Sequence, residues 1–453
     1  MSDTHAQLSR RILTGAVSAL LIKVGAAGAS YVVLFVLARW MGPAEFGRYA
    51  LGFSLATLFG IIFSSGQAQA PLRLIPEHLA RNENGLALGA HIAGMRVSAG
   101  AGVLGGLLFA AIVGLISVAG FHIDTMAMLA AAVLIPPIAI ARYWSSTGRS
   151  MGHIVLAMLP QDIVWRVLVA GVAGFLWLHA IMLTGTSILL WSAGLLTLVV
   201  GIQALLTQHE LPLSMREARP VTDYRYWRHV WLTFWLATSL AAVLNQIDVA
   251  LIGVLIKSEE AGLYLAAMRT AKLLSLVLVG VNAVVAPLCS RYFYAGDMKG
   301  LQTLFRIVAP GLLLAGLGGV LFFAFFGQSV LGLFGARFVA MQDVLIVLSA
   351  GAAVGVLCGP VGMMMLMTGR QVVYIRFLAA AAAVSVVFQT IGIVELGVLG
   401  AALGNCAAQL VWNVGLWLYI LHTTGIDASA MAIFHRPRAG LASGSGGQFP
   451  VRD

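Results

Sequence analysis

The sequence predicts an all-α integral membrane protein of about twelve transmembrane helices in two six-helix lobes, and three observations carry that reading. Of 453 residues, 60% are hydrophobic and 10% charged, against roughly 25% charged in a soluble domain, and the mean hydropathy is +0.94. Apolar runs of about 20 residues, each able to cross a ~30 Å hydrocarbon layer at 1.5 Å per residue, recur along the whole chain. Lys and Arg then concentrate in alternate connections between those runs. The runs are continuous rather than alternating in polarity, which argues against a transmembrane β-barrel.

The first run, residues 12–38, is too long for a cleaved signal segment and no hydrophilic domain follows it, so it reads as a retained helix. It ends at Arg39-Trp40-Met41-Gly42-Pro43, an interfacial turn with Trp at head-group level and Gly-Pro stopping the helix. The second run, 48–70, leads into residues 72–84, an amphipathic stretch expected to lie along the cytoplasmic surface. Runs at 87–118, 124–142, 157–180 and 182–206 complete an N-terminal lobe over residues 1–207. A hydrophilic linker, 208–230, rich in Arg and aromatic residues, marks the domain boundary. The C-terminal lobe, 231–422, holds runs at 231–256, 262–290, 302–327, 341–367, 371–393 and 398–421. Residues 423–453 are Gly/Ser-rich and are expected to form a disordered cytoplasmic tail.

With both termini cytoplasmic, nineteen of the 27 Lys and Arg residues, Arg142 and Arg149 among them, fall on the cytoplasmic side. Arg39, Arg48, Lys257 and Arg337 fall outside, and Lys23, Arg166, Arg269 and Lys272 lie within runs. The net charge of +10 is therefore a consequence of topology, and no basic domain exists to bind nucleic acid. An internal echo links the two halves. Glu45-Phe46-Gly47-Arg48-Tyr49-Ala50 matches Glu260-Ala261-Gly262-Leu263-Tyr264-Leu265 at an offset of 215, and Ala70-Pro71-Leu72 matches Ala286-Pro287-Leu288 at 216. Duplicated halves with an even number of helices imply parallel repeats, with a transport site between them near the midplane.

Ionisable side chains inside hydrocarbon are costly, so each needs a partner, water or a ligand. Lys23 lies about 18 Å along its helix from Arg11, too far to reach the interface, and is read as facing a water-filled cavity or a structural partner. Arg269 and Lys272 share one helical face, roughly 12 and 16 Å into their run, with no acid at helical spacing. Either Asp248 of the preceding helix neutralises them or an anionic group of a substrate does. Asp162 and Arg166, at i and i+4 after Pro160, suit an intrahelical ion pair, interfacial if that helix starts near residue 163. Asp248 and Gln246, in Asn245-Gln246-Ile247-Asp248, form either a structural pair with those cations or a coupling site for H⁺ or Na⁺. Met363 to Met367 reads as adaptable packing. His422 and Asp427 match an acyltransferase spacing that chance alone readily supplies.

Cys289, Cys358 and Cys406 are odd in number and lack metal-ligand spacing, so neither a disulfide framework nor a metal site is expected. The chain carries no Walker A motif to hydrolyse ATP, and no long extracytoplasmic loop to house glycosyl transfer. An enzyme is disfavoured, and no cofactor is expected.

The segment Leu37-Ala38-Arg39-Trp40-Met41-Gly42-Pro43-Ala44-Glu45-Phe46-Gly47-Arg48-Tyr49-Ala50 resembles the bacterial polysaccharide flippases of the multidrug/oligosaccharidyl-lipid/polysaccharide (MOP) exporter superfamily. Arg73, Gln246-Ile247-Asp248 and Ala261-Gly262-Leu263-Tyr264 join it, and the layout is similar over about residues 8–422. The resemblance implies a MATE-like, two-lobed, monomeric transporter of the bacterial inner membrane. It would move an undecaprenyl-diphosphate-linked oligosaccharide between leaflets, for O-antigen, capsule or exopolysaccharide synthesis, alongside membrane lipids and a polysaccharide polymerase or export complex. Lys23, Arg269 and Lys272 would then face one cavity and hold the anionic head group, with Asp248, Gln246, Asp162, Arg166 and Arg39 as further cavity or ion-coupling candidates. A cation-coupled drug exporter or a lipid II flippase of the same superfamily is the alternative, and a membrane glycosyltransferase or polymerase a weaker one. No motif names the sugar.

Overall fold

The computed structural model describes residues 2–120 and 124–434, with side chains omitted for residues 2–19, Ala283 and Pro287. Residues 2–41 form α1 and residues 43–62 form α2, which meet at Gly42. There φ is 76° and ψ 167°, a backbone state that glycine enters without strain, and Pro43 lacks the N–H needed to carry the α1 ladder onward. The expected turn between the first two crossings thus contracts to a single kink. Helix α3 (Ala70–Ala80) packs Leu74, Ile75 and His78 inward and leaves its other face exposed, as its amphipathic pattern anticipates.

The chain continues through α4 (Asn84–Val118), α5 (Thr125–Ser150), α6 (Ile154–Leu178) and α7 (Gly185–His209). A short helix α8 (Leu213–Arg216) and an extended connection lead to α9 (Tyr224–Leu255). Helix α10 covers residues 258–294 and tightens to a 3₁₀ turn at Lys272–Ser275. Then come α11 (Met298–Gly332), α12 (Gln342–Cys358), the short α13 (Val361–Met367) and α14 (Gln371–Leu396). Last is α15 over residues 398–424, which widens to a π turn at Leu410–Val414.

Among the described residues, ten continuous helical segments are long and apolar enough to cross a membrane. The first of these, Leu20–Ile62, is the α1–α2 pair. Helix α15, whose apolar run is diluted by Asn405, Gln409 and Asn413, antiparallel to α14, completes the twelve. Lipid-facing positions are large and aliphatic or aromatic, as at Leu107, Leu198, Leu314 and Phe325, whereas buried helix faces are rich in Ala. Small residues let helices approach closely where hydrocarbon gives no hydrophobic drive for association.

Two boundaries bear on the sequence reading. Helix α5 runs eight residues past the expected end at 142, because Tyr143, Trp144, Ser145, Ser146 and Thr147 are buried rather than interfacial. Helix α6 starts at Ile154, near the expected 157, so the condition for an interfacial pair, a start near 163, is not met and Asp162 and Arg166 lie two to three turns inside it. The expected disordered tail is also corrected over residues 425–434. Gly425 closes α15 in a left-handed conformation, and the chain turns back so that Ile426, Ala428, Ala430 and Ala432 are buried against α11, α12 and α13. Residues 435–453 lie outside the described residues.

One end of the bundle, where α1 kinks into α2, is sealed. Phe46 packs on Phe338 at 5.8 Å between ring centroids, Tyr31 on Phe334 at 5.2 Å, and the Arg39 guanidinium donates to the Leu333 carbonyl at 3.3 Å. Glu45 braces this end: its carboxylate pairs with Arg48 and accepts the first α7 amide, Gly185 N–H, at 2.8 Å. Arg48 in turn reaches Asp124 at 2.7 Å. A carboxylate at a helix N-terminus meets both unsatisfied amides and the positive end of the helix dipole.

Candidate functional site

Between α1, α2, α5, α6, α9 and α10 lies a branched cavity whose sections share Ser30, Arg166 and Arg269. One section, about 240 Å³, is lined by Lys23, Ala27, Tyr31, Asp162, Lys272 and Leu276. A second, about 150 Å³, is lined by Thr57, Arg142, Gln161, Asp162, Trp165 and Gln246. A narrow third, about 30 Å³, runs past Tyr49, Phe53 and Trp165 toward the sealed end.

Local backbone irregularities aim the charged groups. Pro160 cannot donate to the ladder, and α6 passes through a π turn at Pro160–Val164, which re-aims Asp162. Its Oδ2 meets Lys23 Nζ at 3.1 Å, while Arg166 Nη1 is 3.9 Å from Oδ1 and also donates to the Asp162 carbonyl. The intrahelical pair read from the sequence therefore exists but is the looser of the two contacts. On α10 the 3₁₀ turn begins at Lys272, whose Nζ donates to Asn245 Oδ1 at 3.3 Å and to the Asn245 carbonyl at 3.4 Å. Among the described residues, Arg142 and Arg269 make no hydrogen bond and no ion pair within 4.0 Å.

The three cations singled out by sequence, Lys23, Arg269 and Lys272, therefore come together at one cavity, and Asp162, Arg166 and Gln246 join them. Asp248 does not. It is fully buried behind the wall, where Tyr264 Oη (3.1 Å), Asn405 Nδ2 (3.2 Å) and the Val249 amide (3.0 Å) donate to it, and it forms no ion pair with Arg269 or Lys272 among the described residues. Arg39 is also elsewhere, at the sealed end. Arg142, expected in a cytoplasmic connection, is corrected to a cavity position, carried there by the extra turns of α5. The signal that finds it is the shared helical face of Ile138, Ala141 and Arg142, which a hydropathy average hides.

Five cations thus surround the cavity with one carboxylate, Asp162, among its lining residues. Such a field attracts anions, and guanidinium groups offer bidentate bonds to phosphate or carboxylate. Among the described residues no group of three or more His, Cys, Asp or Glu suits a metal ion.

Comparison with known proteins agrees with this architecture. A family described as polysaccharide biosynthesis protein matches residues 12–293. No curated protein of recognisable sequence similarity was found. An inward-facing multidrug resistance MATE-family transporter of the MOP superfamily superposes with a TM-score of 0.69 at 16% identity, covering 90% of this chain and 98% of that one. A MOP-superfamily transporter from Pyrococcus furiosus, described as having a binding pocket of reversed polarity, gives 0.62 at 15% identity, covering 91% and 97%. A Vibrio cholerae MATE transporter variant gives 0.61 at 13% identity over 91% and 97%. The chain belongs to the polysaccharide biosynthesis protein family and is built on the fold of the MOP-superfamily transporters.

Proposed function

We propose that the protein is a flippase that carries an undecaprenyl-diphosphate-linked oligosaccharide repeat unit across the bacterial inner membrane, by alternating access between two six-helix halves. The observation that carries this reading is the cavity shared by both halves, with Lys23, Arg142, Arg166, Arg269 and Lys272 around it and Asp162 as its lining acid. A diphosphate suits that field, whereas a cationic drug does not. Family membership in polysaccharide biosynthesis supports the glycan, and the reversed pocket polarity in the description of one structural neighbour is a precedent for departure from drug export on this fold.

Lys23, whose side chain is 49% exposed, and Lys272 receive the diphosphate at the mouth while Arg269 and Arg166 complete its hydrogen bonds inside. The prenyl chain stays in lipid along the apolar rim of Ala27, Leu273 and Leu276. With the termini cytoplasmic, the sealed end faces the periplasm and the cavity takes its load from the cytoplasmic leaflet. Rocking of the halves then exposes the same site outward. Asp248, buried beside Tyr264 and Asn405, is the carboxylate assigned to H⁺ or Na⁺ coupling in this scheme.

A leaflet assay in a deletion strain tests the reading. Lipid-linked repeat units are expected to accumulate on the cytoplasmic face and to clear on restoration of the wild type, but not of Lys23→Ala or Arg269→Ala at equal protein level. Intact surface glycan without accumulation would refute it and favour a small-molecule exporter.

A further inference from the structure

We infer that the groove between α2, α4 and α5 of the first half and the α9–α10 turn of the second binds one anionic glycerophospholipid. Its phosphate meets Lys257, its acyl chain lies along the groove, and its presence holds the sealed end shut. The site is separate from the central cavity and does not depend on what that cavity carries.

The groove arises where two helices diverge. Away from the sealed end α4 and α9 are in close contact: Trp227 and Val230 share a buried cluster with Ala90 and Ala93, and Gly89 makes room for the Val221 carbonyl. Toward the sealed end a space of about 500 Å³ opens between Phe109–Ile116 of α4 and Gly253–Lys257, against about 240 Å³ for the largest section of the central cavity. Its floor of Leu51, Leu55, Phe109 and Val113 is apolar, and Ile112 and Val254 are exposed at its flanks. The step from Arg48 to Leu55 carries it about 10 Å along α2 into the hydrocarbon. An acyl chain suits this shape, and burying it there excludes no polar group from water.

Charge decides the head group. Arg48, Asp124, Lys257 and Glu259 line the mouth, and three of them are already matched. Arg48 pairs with Glu45 and with Asp124. Both carboxylates also accept N-terminal helix amides, Gly185 N–H at 2.8 Å and Ala127 N–H at 3.1 Å, so the positive ends of two helix dipoles offset the second negative charge. Glu259 pairs with Arg337. The Lys257 side chain is exposed and, among the described residues, has no hydrogen bond and no ion pair. One unmatched cation beside an apolar floor follows the order of phosphate and chain in a phospholipid, and it selects a lipid of net charge −1 over a zwitterionic one. A polyprenyl diphosphate brings two negative charges to the same single cation and is the poorer match.

The groove's walls belong to both halves. Arg48 and Ser258 line it from opposite sides, next to the contact of Gly47 with the Ser258 backbone. Opening at that end separates these walls, so a lipid that touches both binds the sealed state better and shifts the population toward it.

The test titrates full-length, delipidated protein in detergent with dioleoylphosphatidylglycerol or dioleoylphosphatidylcholine and counts bound lipid by native mass spectrometry. The wild type should retain one phosphatidylglycerol about fivefold more tightly than phosphatidylcholine. Lys257→Gln should bring that ratio toward one, and Lys299→Gln, at the other end of the bundle, should leave it unchanged. Ile112→Trp, at an exposed flank where the larger ring fills the groove, should abolish the tight site. A wild-type ratio of one, or a ratio unchanged in Lys257→Gln, would overturn the site. Tighter retention of undecaprenyl phosphate than of phosphatidylglycerol, lost in Ile112→Trp, would overturn the choice of occupant. The effect on the seal is read in nanodiscs with Ser30→Cys in a cysteine-free background, labelled from the Gly42 side. Replacing half of a phosphatidylcholine bilayer by phosphatidylglycerol should slow labelling several-fold, and should not do so when Lys257→Gln is added. No slowing, or equal slowing in both, would overturn the claim that the lipid holds this end shut.

Discussion

Gly47 on α2 and Gly262 on α10 lie backbone against backbone at the sealed end: a Cβ on Gly262 would stand 2.7 Å from Gly47 Cα, and one on Gly47 would stand 2.3 Å from the Ser258 carbonyl oxygen. They are matching positions of the two similar segments 45–50 and 260–265, 215 residues apart. Two side-chain-free positions thus stand face to face, and the close crossing of α2 and α10 depends on both. Gly47→Val should force this crossing apart and favour the state open at that end. In a cysteine-free background, Ser30→Cys should label several-fold faster with an impermeant thiol reagent applied from the Gly42 side, and unchanged labelling would show that the crossing is not the seal.

Asp162 restrains the cavity's own cations. It holds Lys23 at 3.1 Å and lies 3.9 Å from Arg166. Asp162→Asn should therefore raise pyrophosphate affinity, by about threefold to tenfold, while slowing turnover because release becomes harder. Calorimetry with pyrophosphate reads the first effect and glycan export the second; weaker binding would mean that the carboxylate serves mainly to order Lys23.

Glu45 serves two structural partners at once, the Arg48 guanidinium and the Gly185 amide. Glu45→Gln retains an acceptor but removes the charge that both interactions use. A loss of roughly 1–3 kcal/mol is expected, read as a lower thermal unfolding midpoint in detergent. Glu45→Asp, too short to span both partners, should behave alike.

The segment beyond α15 is part of the fold. Gln302 exchanges two hydrogen bonds with the Asp427 backbone, at 2.9 and 3.1 Å, and Asp427 Oδ1 accepts from Trp417 Nε1, Ser429 N and Ser429 Oγ at 2.7–2.9 Å. Truncation after Phe434 serves as the reference. Truncation after Thr424 should lower the unfolding midpoint by several degrees, and Asp427→Ala should cost about 2 kcal/mol by leaving buried donors unmet. Equal stability of both truncations would show that the segment is dispensable.

Much of this was legible in the chain. Long apolar runs set the crossings because unsatisfied backbone cannot enter hydrocarbon, and a lysine or arginine inside such a run has few explanations, which is why Lys23, Arg269 and Lys272 stood out. Arg142 did not, because the polar run from Tyr143 to Thr147 lowers the local hydropathy, and only facing helices reveal that those side chains are buried. The start of the tail misled in the same way: a Gly/Ser-rich composition read as disorder, yet over residues 425–434 small side chains such as Ala428, Ala430 and Ala432 are what fit against α11 and α12.

The sequence by itself determined the all-helical membrane class, the long apolar helices and most of the cations, since these depend on composition and periodicity along the chain. Only the tertiary structure decided partnership. Asp162 turns to Lys23, 139 positions away, more closely than to Arg166 on its own helix, and Asp248 turns to Tyr264 and Asn405 rather than to the cations expected to need it. Partner choice follows from the distance between side chains on different helices, and helix packing sets that distance, not spacing along the chain.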